Sequence, residues 1–271
     1  MKNTMWLVVV LVIGGIAAGF YFWQLKKDET PPPVAESTLP AAPPEPQIKH
    51  PIREAPASDE PLPLLEDSDG ALLGALTGFF GQKAVQEFFE VKELARRFVV
   101  TVDNLPRQKV PLRYRLFKPV AGKFLVTGVG DDFLSKPENH RRYNAYVLLT
   151  GAVDIKKLVA VYTRFYPLFQ EEYVNLGYPQ GYFNDRLVVA IDDMLAAPDI
   201  SGSIKLIRPK VLYLFADPAL EELSAGQKIM IRMGVENAVR VKARLREFRK
   251  ELIYKAPKTE ETTTEPTTNK N

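Results

Sequence analysis

One apolar segment near the N-terminus constrains this chain more than any other feature. Residues 5–23 read MWLVVVLVIGGIAAGFYFW and contain no charged residue. A helix rises about 1.5 Å per residue, so a segment of this length matches a hydrocarbon core of about 30 Å. Trp6 at one end and Tyr21 with Trp23 at the other are typical of membrane interfaces. The sequence therefore predicts a transmembrane helix within a membrane anchor that covers residues 1–27.

A cleaved signal peptide is the alternative interpretation of this segment. Ala17 and Ala18 supply small residues for a cleavage site, but apolar aromatic residues follow them instead of a polar mature start. The lysines do not fix the orientation, because Lys2 lies before the segment and Lys26 with Lys27 after it. A short N-terminal tail before an uncleaved anchor favours a C-terminal domain outside the cytoplasm.

The predicted helix also contains a motif for self-association. Gly15 and Gly19 form a GxxxG pair, which lets two membrane helices approach closely and would support a homodimer. The alternative is that these glycines are simply tolerated, as they are in many membrane helices.

Residues 28–67 differ in composition from the rest of the chain. They contain nine acids against Lys49 and Arg53, and half of the 22 prolines. Because a segment so poor in apolar residues cannot bury a core, we expect a disordered acidic stalk that acts as a spacer. A ligand for a proline-binding groove is the alternative. Residues 256–271 are equally polar and are predicted to form a disordered tail.

The part between stalk and tail, residues 68–255, has the opposite charge balance. It is basic, with a net charge of +8, whereas the whole chain carries +3. Dispersed apolar stripes and the absence of an internal repeat favour one mainly α-helical domain with a small β element. The chain has no Cys and two His, which excludes disulfides and Cys-ligated metals and leaves little for a histidine site. We expect no metal and no cofactor.

Local signals predict the helices of this domain. Asp154 is the expected N-cap of a helix that ends near Gly177 and should be kinked by Pro167. Asn184 is the expected N-cap of the next helix. The apolar spacing of residues 224–252 predicts one long C-terminal helix.

Other signals concern the start of the domain and its strands. Ser68 and Asp69 mark a helix start, and the apolar residues that follow predict a buried helical stripe that continues to Val102. Alternating or apolar runs predict short strands at residues 112–116, 124–126, 204–207 and 211–215, the last two paired across a turn at Pro209 and Lys210.

The C-terminal helix also carries a basic face. Anionic lipid headgroups, an acidic cell-wall polymer or nucleic acid would complement it, and nucleic acid is the least expected of these outside the cytoplasm. The alternative is a solvated face, or one that meets the acidic stalk of the same chain. The cations are Lys228, Arg232, Arg240, Lys242, Arg244, Arg246, Arg249 and Lys250.

Two residue groups suggest more specific chemistry. Tyrosines 166, 173, 178 and 182 precede or flank the sequence Asn184-Asp185-Arg186, a composition typical of sugar- or peptide-binding clefts, although a helix cap in a packed corner explains it equally. A pair of carboxylates could support glycoside hydrolysis, but the sequence does not show which acids meet in space. The acids considered are Asp103, Asp185, Asp192, Asp193 and Asp217.

Several segments of the domain together resemble a bacterial family, domain of unknown function family 3014. They are RRFVVTVDNLP (96–106), YPL (166–168), LGYP (176–179), FNDR (183–186), FADP (215–218) and the stretch from AGQK to RMG (225–234). The resemblance covers about residues 62–253 and comes with no activity or mapped site. It implies a membrane-anchored envelope protein of Gram-negative bacteria, and hence a single-pass inner-membrane protein with a periplasmic domain.

The polar residues within these segments are the candidates for a binding surface, although buried charge pairing between helices would explain them without a ligand. We expect a non-enzymatic protein whose basic domain binds an envelope protein or cell-wall material. The alternatives are an envelope polysaccharide hydrolase with paired carboxylates and a cytoplasmic-facing domain that binds lipid or nucleic acid. The candidate residues are Arg97, Asp103, Asn104, Tyr178, Asn184, Asp185, Arg186, Asp217 and Arg232.

Overall fold

The structure, a computed structural model, describes residues 47–53, 60–130 and 132–253. The chain divides into two units, Met1–Gln47 and Ile48–Asn271, and all of the described helices and strands belong to the second. Within the described ranges, no helix is both long enough and apolar enough to cross a membrane. The predicted anchor with its Gly15 and Gly19 pair, and the predicted tail, lie outside those ranges.

The second unit is mainly α-helical with a small β-sheet, which confirms the prediction of a mainly helical domain with a small β element. The helices are α1 (Asp69–Phe88), α2 (Leu94–Asn104), α3 (Asn144–Ala152), α4 (Ile155–Asn175), α5 (Phe183–Leu195), α6 (Pro218–Glu221), α7 (Ala225–Arg232) and α8 (Val235–Leu252). The strands are β1 (Val126–Val129), β2 (Asp132–Ser135), β3 (Lys205–Ile207) and β4 (Leu214–Phe215).

The main core lies where α2, α4, α5 and α8 pack together. Val99 of α2 and Phe183 of α5 have no exposed surface, and Phe169 of α4 packs with them. Burying one such side chain contributes about 1.5–3 kcal/mol, so this aromatic and aliphatic cluster is a major source of stability for the domain.

Helix α4 begins as its sequence predicts. The carboxylate of Asp154 accepts hydrogen bonds from the backbone N–H groups of Lys156 and Lys157 at 2.9 and 3.1 Å, which confirms this N-cap. The helix continues through Pro167 to Asn175. The predicted start of the C-terminal helical region is also confirmed, since Ser224 Oγ accepts from the N–H of Gln227 at 2.9 Å.

The predicted continuous stripe up to Val102 is wrong in one respect, because the helix is interrupted between α1 and α2. Glu93 adopts a left-handed backbone conformation with φ of 53°. The carboxylate of Asp69 accepts from the N–H groups of Glu93 and Leu94, both at 2.7 Å. Asp69 from the first turn of α1 therefore satisfies backbone donors at the start of α2, which favours a break at this position.

The predicted strand at residues 112–116 is also wrong. Residues Leu112–Tyr114 form a 3-10 turn instead. The guanidinium of Arg97 donates to the carbonyl oxygens of Arg113 and Arg115 at 2.8 and 3.2 Å, so these acceptors bind a side chain rather than a neighbouring strand. The apolar run at residues 124–126 leads into β1, and the predicted strands at 204–207 and 211–215 correspond to β3 and the shorter β4.

The four strands are antiparallel and follow the order β1-β2-β3-β4. Phe133, Leu206 and Phe215 lie side by side across β2, β3 and β4, and this face packs against Ile231 of α7. Because successive side chains of a strand alternate between faces, Leu134 and Ile207 lie on the opposite, exposed face.

The predicted single helix over residues 224–252 is wrong, because it is divided into α7 and α8 at Gly234. Gly234 has φ of 82°, a conformation that side-chain-bearing residues rarely adopt. A Cβ atom at this position would lie 2.5 Å from the ring of His140. The turn between the two helices therefore depends on a glycine and on the close approach of a distant segment.

Part of the segment that the sequence assigns to the stalk packs on the domain. The N–H groups of Lys49 and His50 donate to the carboxylate of Asp185 at 3.0 and 2.7 Å. Ile52 and Leu62 pack against the main core. Residues 48–53 and 60–67 are thus part of the folded unit, although their acids and prolines predict otherwise.

Candidate functional site

A cavity of about 280 Å³ lies between the inner face of the sheet and the segments that pack against it. We call it the sheet cavity. It is lined by Phe124, Ser135, Asn139, His140, Tyr143, Ile204, Leu206, Leu212, Tyr213, Phe215, Ile231 and Arg232. Most of these side chains are aromatic or aliphatic, so the cavity has apolar walls and a small number of polar groups. That composition is typical of a binding site.

Arg232 brings a permanent positive charge to this cavity. It is the last residue of α7, and its guanidinium lies 5.4 Å from the centroid of the Phe215 ring. Among the described residues, no Asp or Glu forms an ion pair with it. A partly buried guanidinium in contact with an aromatic ring and without a counter-charge is suited to bind an anion.

Most of the other cations of the predicted basic face do have acidic partners, which corrects the interpretation of that face as open. Lys228 and Lys242 are each only 6% exposed. The four ion pairs are Lys228 with Glu221, Lys242 with Asp199, Arg244 with Glu247, and Arg249 with Asp192. Arg240, Arg246 and Lys250 remain exposed. The cations of α7 and α8 therefore mainly fix neighbouring segments, and Arg232 is the exception within the cavity.

Three further polar side chains line the cavity together with Arg232. Burial raises the pKa of the Tyr143 hydroxyl, although Arg232 and Arg142 oppose the shift, so this group is a neutral donor at physiological pH. His140 also lines the cavity and lies close to Gly234. Ser135 Oγ accepts from the N–H of Ile204 at 3.0 Å, which leaves its proton free to donate.

Asn139 lines the same cavity but has a structural role. It is 2% exposed, its Oδ1 accepts from the N–H of Leu125 at 2.8 Å, and its Nδ2 donates to the Leu125 carbonyl at 2.6 Å. Asn139 thus binds both backbone groups of Leu125, just before β1. These bonds fix the sheet relative to the Pro137–Tyr143 3-10 helix, which carries His140 and Tyr143 into the cavity.

Of the residues expected to form a binding surface, Asp103, Tyr178 and Arg186 do come together, in a partly exposed cluster around the buried Asp103 carboxylate. Asp103 is 5% exposed, and its Oδ1 accepts from Arg186 Nε at 3.0 Å. Arg107 forms a second ion pair with it at 3.1 Å, and Arg107 also donates to the Tyr178 hydroxyl at 2.7 Å. This is the charge pairing between helices that would explain these residues without a ligand.

The remaining candidates are dispersed and serve local structure. Asn104 donates to the carbonyl of Val100 in its own helix at 2.8 Å, and Asp217 caps α6 by accepting from Ala219. The prediction that Asn184 caps its helix is wrong. Tyr182 is the residue before α5, and Asn184 is fully buried, with its side chain bound to the Tyr162 hydroxyl and the His50 carbonyl.

The predicted tyrosine cleft is a packed corner. Tyr166 and Tyr173 are each 7% exposed, and the rings of Tyr173 and Tyr178 stack with centroids 4.5 Å apart. Tyr166 donates to the side chain of Gln170, which in turn receives the N–H of Phe183. These contacts fill the space that a ligand would need.

The acids considered for hydrolysis are engaged in structural contacts. Asp103 and Asp192 pair with arginines, Asp185 and Asp217 accept backbone N–H groups, and Asp193 accepts from Ser224 at 2.5 Å. Within the described residues, no group of three or more His, Asp or Glu side chains could hold a metal ion. The sheet cavity is therefore the site with the clearest chemistry.

Sequence reasoning placed Arg232 among the candidates but missed its neighbours in the cavity. Phe124, His140 and Tyr213 come from separate segments that meet only through the sheet register and the turn at Gly234. No local spacing signals such a meeting. The one available sign was the glycine at position 234 within an otherwise helical pattern, which weakens the prediction of one continuous helix.

Comparison with known proteins places the chain in a family. No curated protein and no solved structure matches it. The family model described as a protein of unknown function, DUF3014, matches residues 94–249. The match covers more than half of the chain, from the first residue of α2 almost to the end of α8, and includes every residue of the sheet cavity. The chain therefore belongs to the DUF3014 family.

Proposed function

We propose that this protein is a non-enzymatic binding module. Its sheet cavity binds a ligand that carries a carboxylate next to an apolar group. The observation that carries the proposal is Arg232, a cavity-lining guanidinium without an acidic partner among the described residues. The ligand is the end of a peptide chain, either from an envelope protein or from the peptide portion of cell-wall material. Both sources offer carboxylates next to apolar side chains.

Charge and hydrogen bonding support an anionic ligand. A guanidinium can bind both oxygens of one carboxylate, and a hydrogen bond to a charged group contributes about 1.5–3 kcal/mol. Tyr143 and Ser135 supply neutral donors to the same space. A carboxylate in the cavity would thus receive its donors from three different segments of the chain.

The size and walls of the cavity support a small apolar group beside that carboxylate. Its volume of about 280 Å³ lies near the lower end of the range for ligand sites, which begins at about 300 Å³. Phe124, Leu206 and Tyr213 offer apolar contact area. One aromatic or aliphatic residue at a chain end fits this space, whereas a polysaccharide segment does not.

In this proposal, the predicted anchor determines where in the cell the module is located. Residues 5–23 would hold the module at the inner membrane, and the short N-terminal tail favours a periplasmic domain. A binding module at this position would meet both envelope proteins and the cell wall. The orientation is tested by fusing alkaline phosphatase or a fluorescent protein after Ile253, since the phosphatase is active only in the periplasm.

The binding proposal is tested with two probes that differ only in charge, the carboxylate N-acetyl-4-fluorophenylalanine and its neutral amide. Fluorine NMR line widths of each probe are measured with the full chain in detergent micelles. We expect broadening of the carboxylate signal and at least about tenfold weaker binding of the amide, equal to about 1.4 kcal/mol.

Two variants locate the effect. Arg232→Gln should remove the preference for the carboxylate, because it removes the charge and keeps a polar side chain. Arg240→Gln is the matched control, since Arg240 is an exposed cation on α8 outside the cavity. Equal binding of the two probes to the unsubstituted chain would contradict the proposal, as would an equal loss in both variants.

A further inference from the structure

The loop between β3 and β4 exposes apolar side chains at one end of the sheet. Val211 is 86% exposed and Leu212 is 73% exposed, and they are adjacent in the chain. On the outer face of the sheet, Ile207 and Leu134 are also exposed, at 38% and 40%. Exposed neighbouring apolar side chains of this kind are unfavourable in water and usually mark a contact surface.

The charges around this loop have one sign. Residues 200–216 contain Lys205, Arg208 and Lys210 and no acid. All three cations are exposed. The guanidinium of Arg208 lies over the rings of Phe133 and Tyr213 at 5.8 and 5.7 Å, so it is held beside the loop. Among the residues that the structure describes, no carboxylate forms an ion pair with Arg208. The loop thus has an apolar tip, Val211 and Leu212, with three cations around it, Lys205, Arg208 and Lys210.

The neighbouring hairpin turn lies at the same end of the sheet and has the opposite charge. Phe133 of β2 pairs with Leu206 of antiparallel β3, so the next residue of β3, Ile207, lies nearer to the β1–β2 turn. The β3–β4 loop follows Ile207 and therefore leaves the sheet beside that turn. That turn exposes Val129, which is 87% exposed, and the exposed acid Asp132 lies at the start of β2 beside it. An anionic surface would attract the β3–β4 loop and repel the β1–β2 turn.

We propose that the β3–β4 loop docks on a lipid bilayer that contains anionic headgroups. Val211 and Leu212 enter the interface between headgroups and acyl chains, while Lys205, Arg208 and Lys210 contact the headgroup phosphates. The inference shares Leu212 with the sheet cavity, but Val211 and the three cations lie outside the cavity lining, so it does not depend on the carboxylate site. It adds a second membrane contact to the predicted anchor.

The charges favour a bilayer over a second copy of the chain. Two copies that met through this loop would bring six cations together without acids from the same segment, and like charges across an interface are costly. An anionic bilayer offers the complementary charge and an apolar phase for the tip. The predicted anchor would keep the loop close to such a surface, which raises its effective concentration there.

The absence of cysteine from the chain permits a direct test on the full-length protein. Val211→Cys carries an environment-sensitive nitrobenzoxadiazole dye, and the protein is reconstituted in vesicles of phosphatidylcholine with or without about one third phosphatidylglycerol. We expect a blue-shifted emission and quenching by doxyl-labelled lipid in the anionic vesicles, and a weaker effect in the neutral ones. Far-UV circular dichroism checks that each variant is folded.

Val239→Cys is the matched control. Val239 is 51% exposed on α8, next to the exposed cation Arg240, and it should show no blue shift. A shift at Val239 without one at Val211 would overturn the proposal in favour of docking by α8. No shift at Val211 in anionic vesicles would overturn it as well.

A charge variant tests the contribution of the cations around the loop separately. Lys205→Glu with Lys210→Glu, in the labelled Val211→Cys chain, should abolish the difference between anionic and neutral vesicles. A blue shift that persists in this variant, or one that appears in detergent and grows with protein concentration, would indicate self-association and contradict docking on lipid. Arg232→Gln should leave the shift unchanged, so failure of the carboxylate site and failure of membrane docking are distinguishable.

Discussion

Arg186 of α5 donates from Nε to Oδ1 of Asp103 on α2 at 3.0 Å, and this bond joins two helices of the main core. The Asp103 side chain is 7% exposed and the Arg186 side chain 21% exposed. Arg107, one turn after Asp103, completes the cluster. Asp103 accordingly balances two guanidinium groups, one of which is largely buried.

Asp103→Asn should lower the free energy of unfolding by about 3 kcal/mol, because removing one partner of a buried ion pair leaves the other charge uncompensated. Urea denaturation measures the loss. Asp192→Asn is the matched control, since the Asp192 side chain is 46% exposed in its pair with Arg249, and exposed pairs contribute about 0–1 kcal/mol. Equal losses in the two variants would contradict a structural role for the Asp103 cluster.

Asp185 should hold the segment that precedes the helices in place. Its carboxylate accepts from the N–H groups of Lys49 and His50, and Asn184 binds the His50 carbonyl. Asp185→Ala should therefore speed trypsin cleavage after Lys49 and increase amide exchange at His50. Asp217→Ala, which removes a helix cap elsewhere, serves as the control. Unchanged cleavage after Lys49 in Asp185→Ala would show that apolar packing alone holds the segment.

Glu172 should make stability depend on pH. Burial raises the pKa of its carboxyl above the usual value of 4.5, and attraction by Arg96 offsets this only in part. The folded state therefore binds the proton more tightly than the unfolded state, and the free energy of unfolding falls as pH rises from about 4.5 through the folded pKa. Glu172→Gln should flatten this decline and stabilise the protein at neutral pH.

Thermal melts of the two proteins between pH 4 and pH 8 provide the measurement. The difference between Glu172→Gln and the unsubstituted chain should be smallest at the acidic end, where Glu172 is protonated in both states. The opposite outcome is that Glu172→Gln loses stability relative to the unsubstituted chain as the pH rises to neutral. That result would mean that the ion pair with Arg96 outweighs the cost of burial.

Gly234→Ala should destabilise the domain more than Gly177→Ala. Both glycines have positive φ, 82° and 104°, so alanine costs about 1 kcal/mol or more in strain at either position. At Gly177 a Cβ meets nothing within 4 Å, whereas at Gly234 it would meet the His140 ring at 2.5 Å. We expect an additional loss of about 1–3 kcal/mol for the overpacked position, measured by urea denaturation.

His140→Ala separates the two effects at Gly234. Removing the ring should relieve the clash, so the double variant should lose less than the sum of the two single variants. Strict additivity would show that the loss at Gly234 comes from the backbone alone.

The sequence was informative where a local rule decides the structure. Asp154 and Ser224 are N-caps because a short acceptor beside a helix start satisfies free N–H groups. The Asp154 cap was predicted, and for Ser224 the prediction was a helix start at about that residue. The pairing of an Asp with an Arg between helices was also foreseen as an explanation of the polar candidates. Arg107 was missed, although it follows Asp103 by four residues, a spacing at which opposite charges often pair.

Features that depend on distant segments were not predictable in the same way. The break before α2 requires Asp69 to reach Glu93, and the turn before α8 requires His140 to lie against Gly234. The same limitation applies to the sheet cavity, whose lining residues meet only after the strands have paired. A periodic apolar pattern fixes which face of a helix is buried but not where tertiary contacts interrupt it.

The binding proposal depends on one guanidinium, and the side-chain Nε–Hε NMR signal of Arg232 tests it most directly. The signal is assigned by comparing the second unit, Ile48–Asn271, with its Arg232→Gln variant. We predict that N-acetylphenylalanine shifts this signal and that the neutral amide does not. A signal that moves with neither probe, while those of Arg240 and Arg246 move with the carboxylate, would contradict a carboxylate site in the sheet cavity.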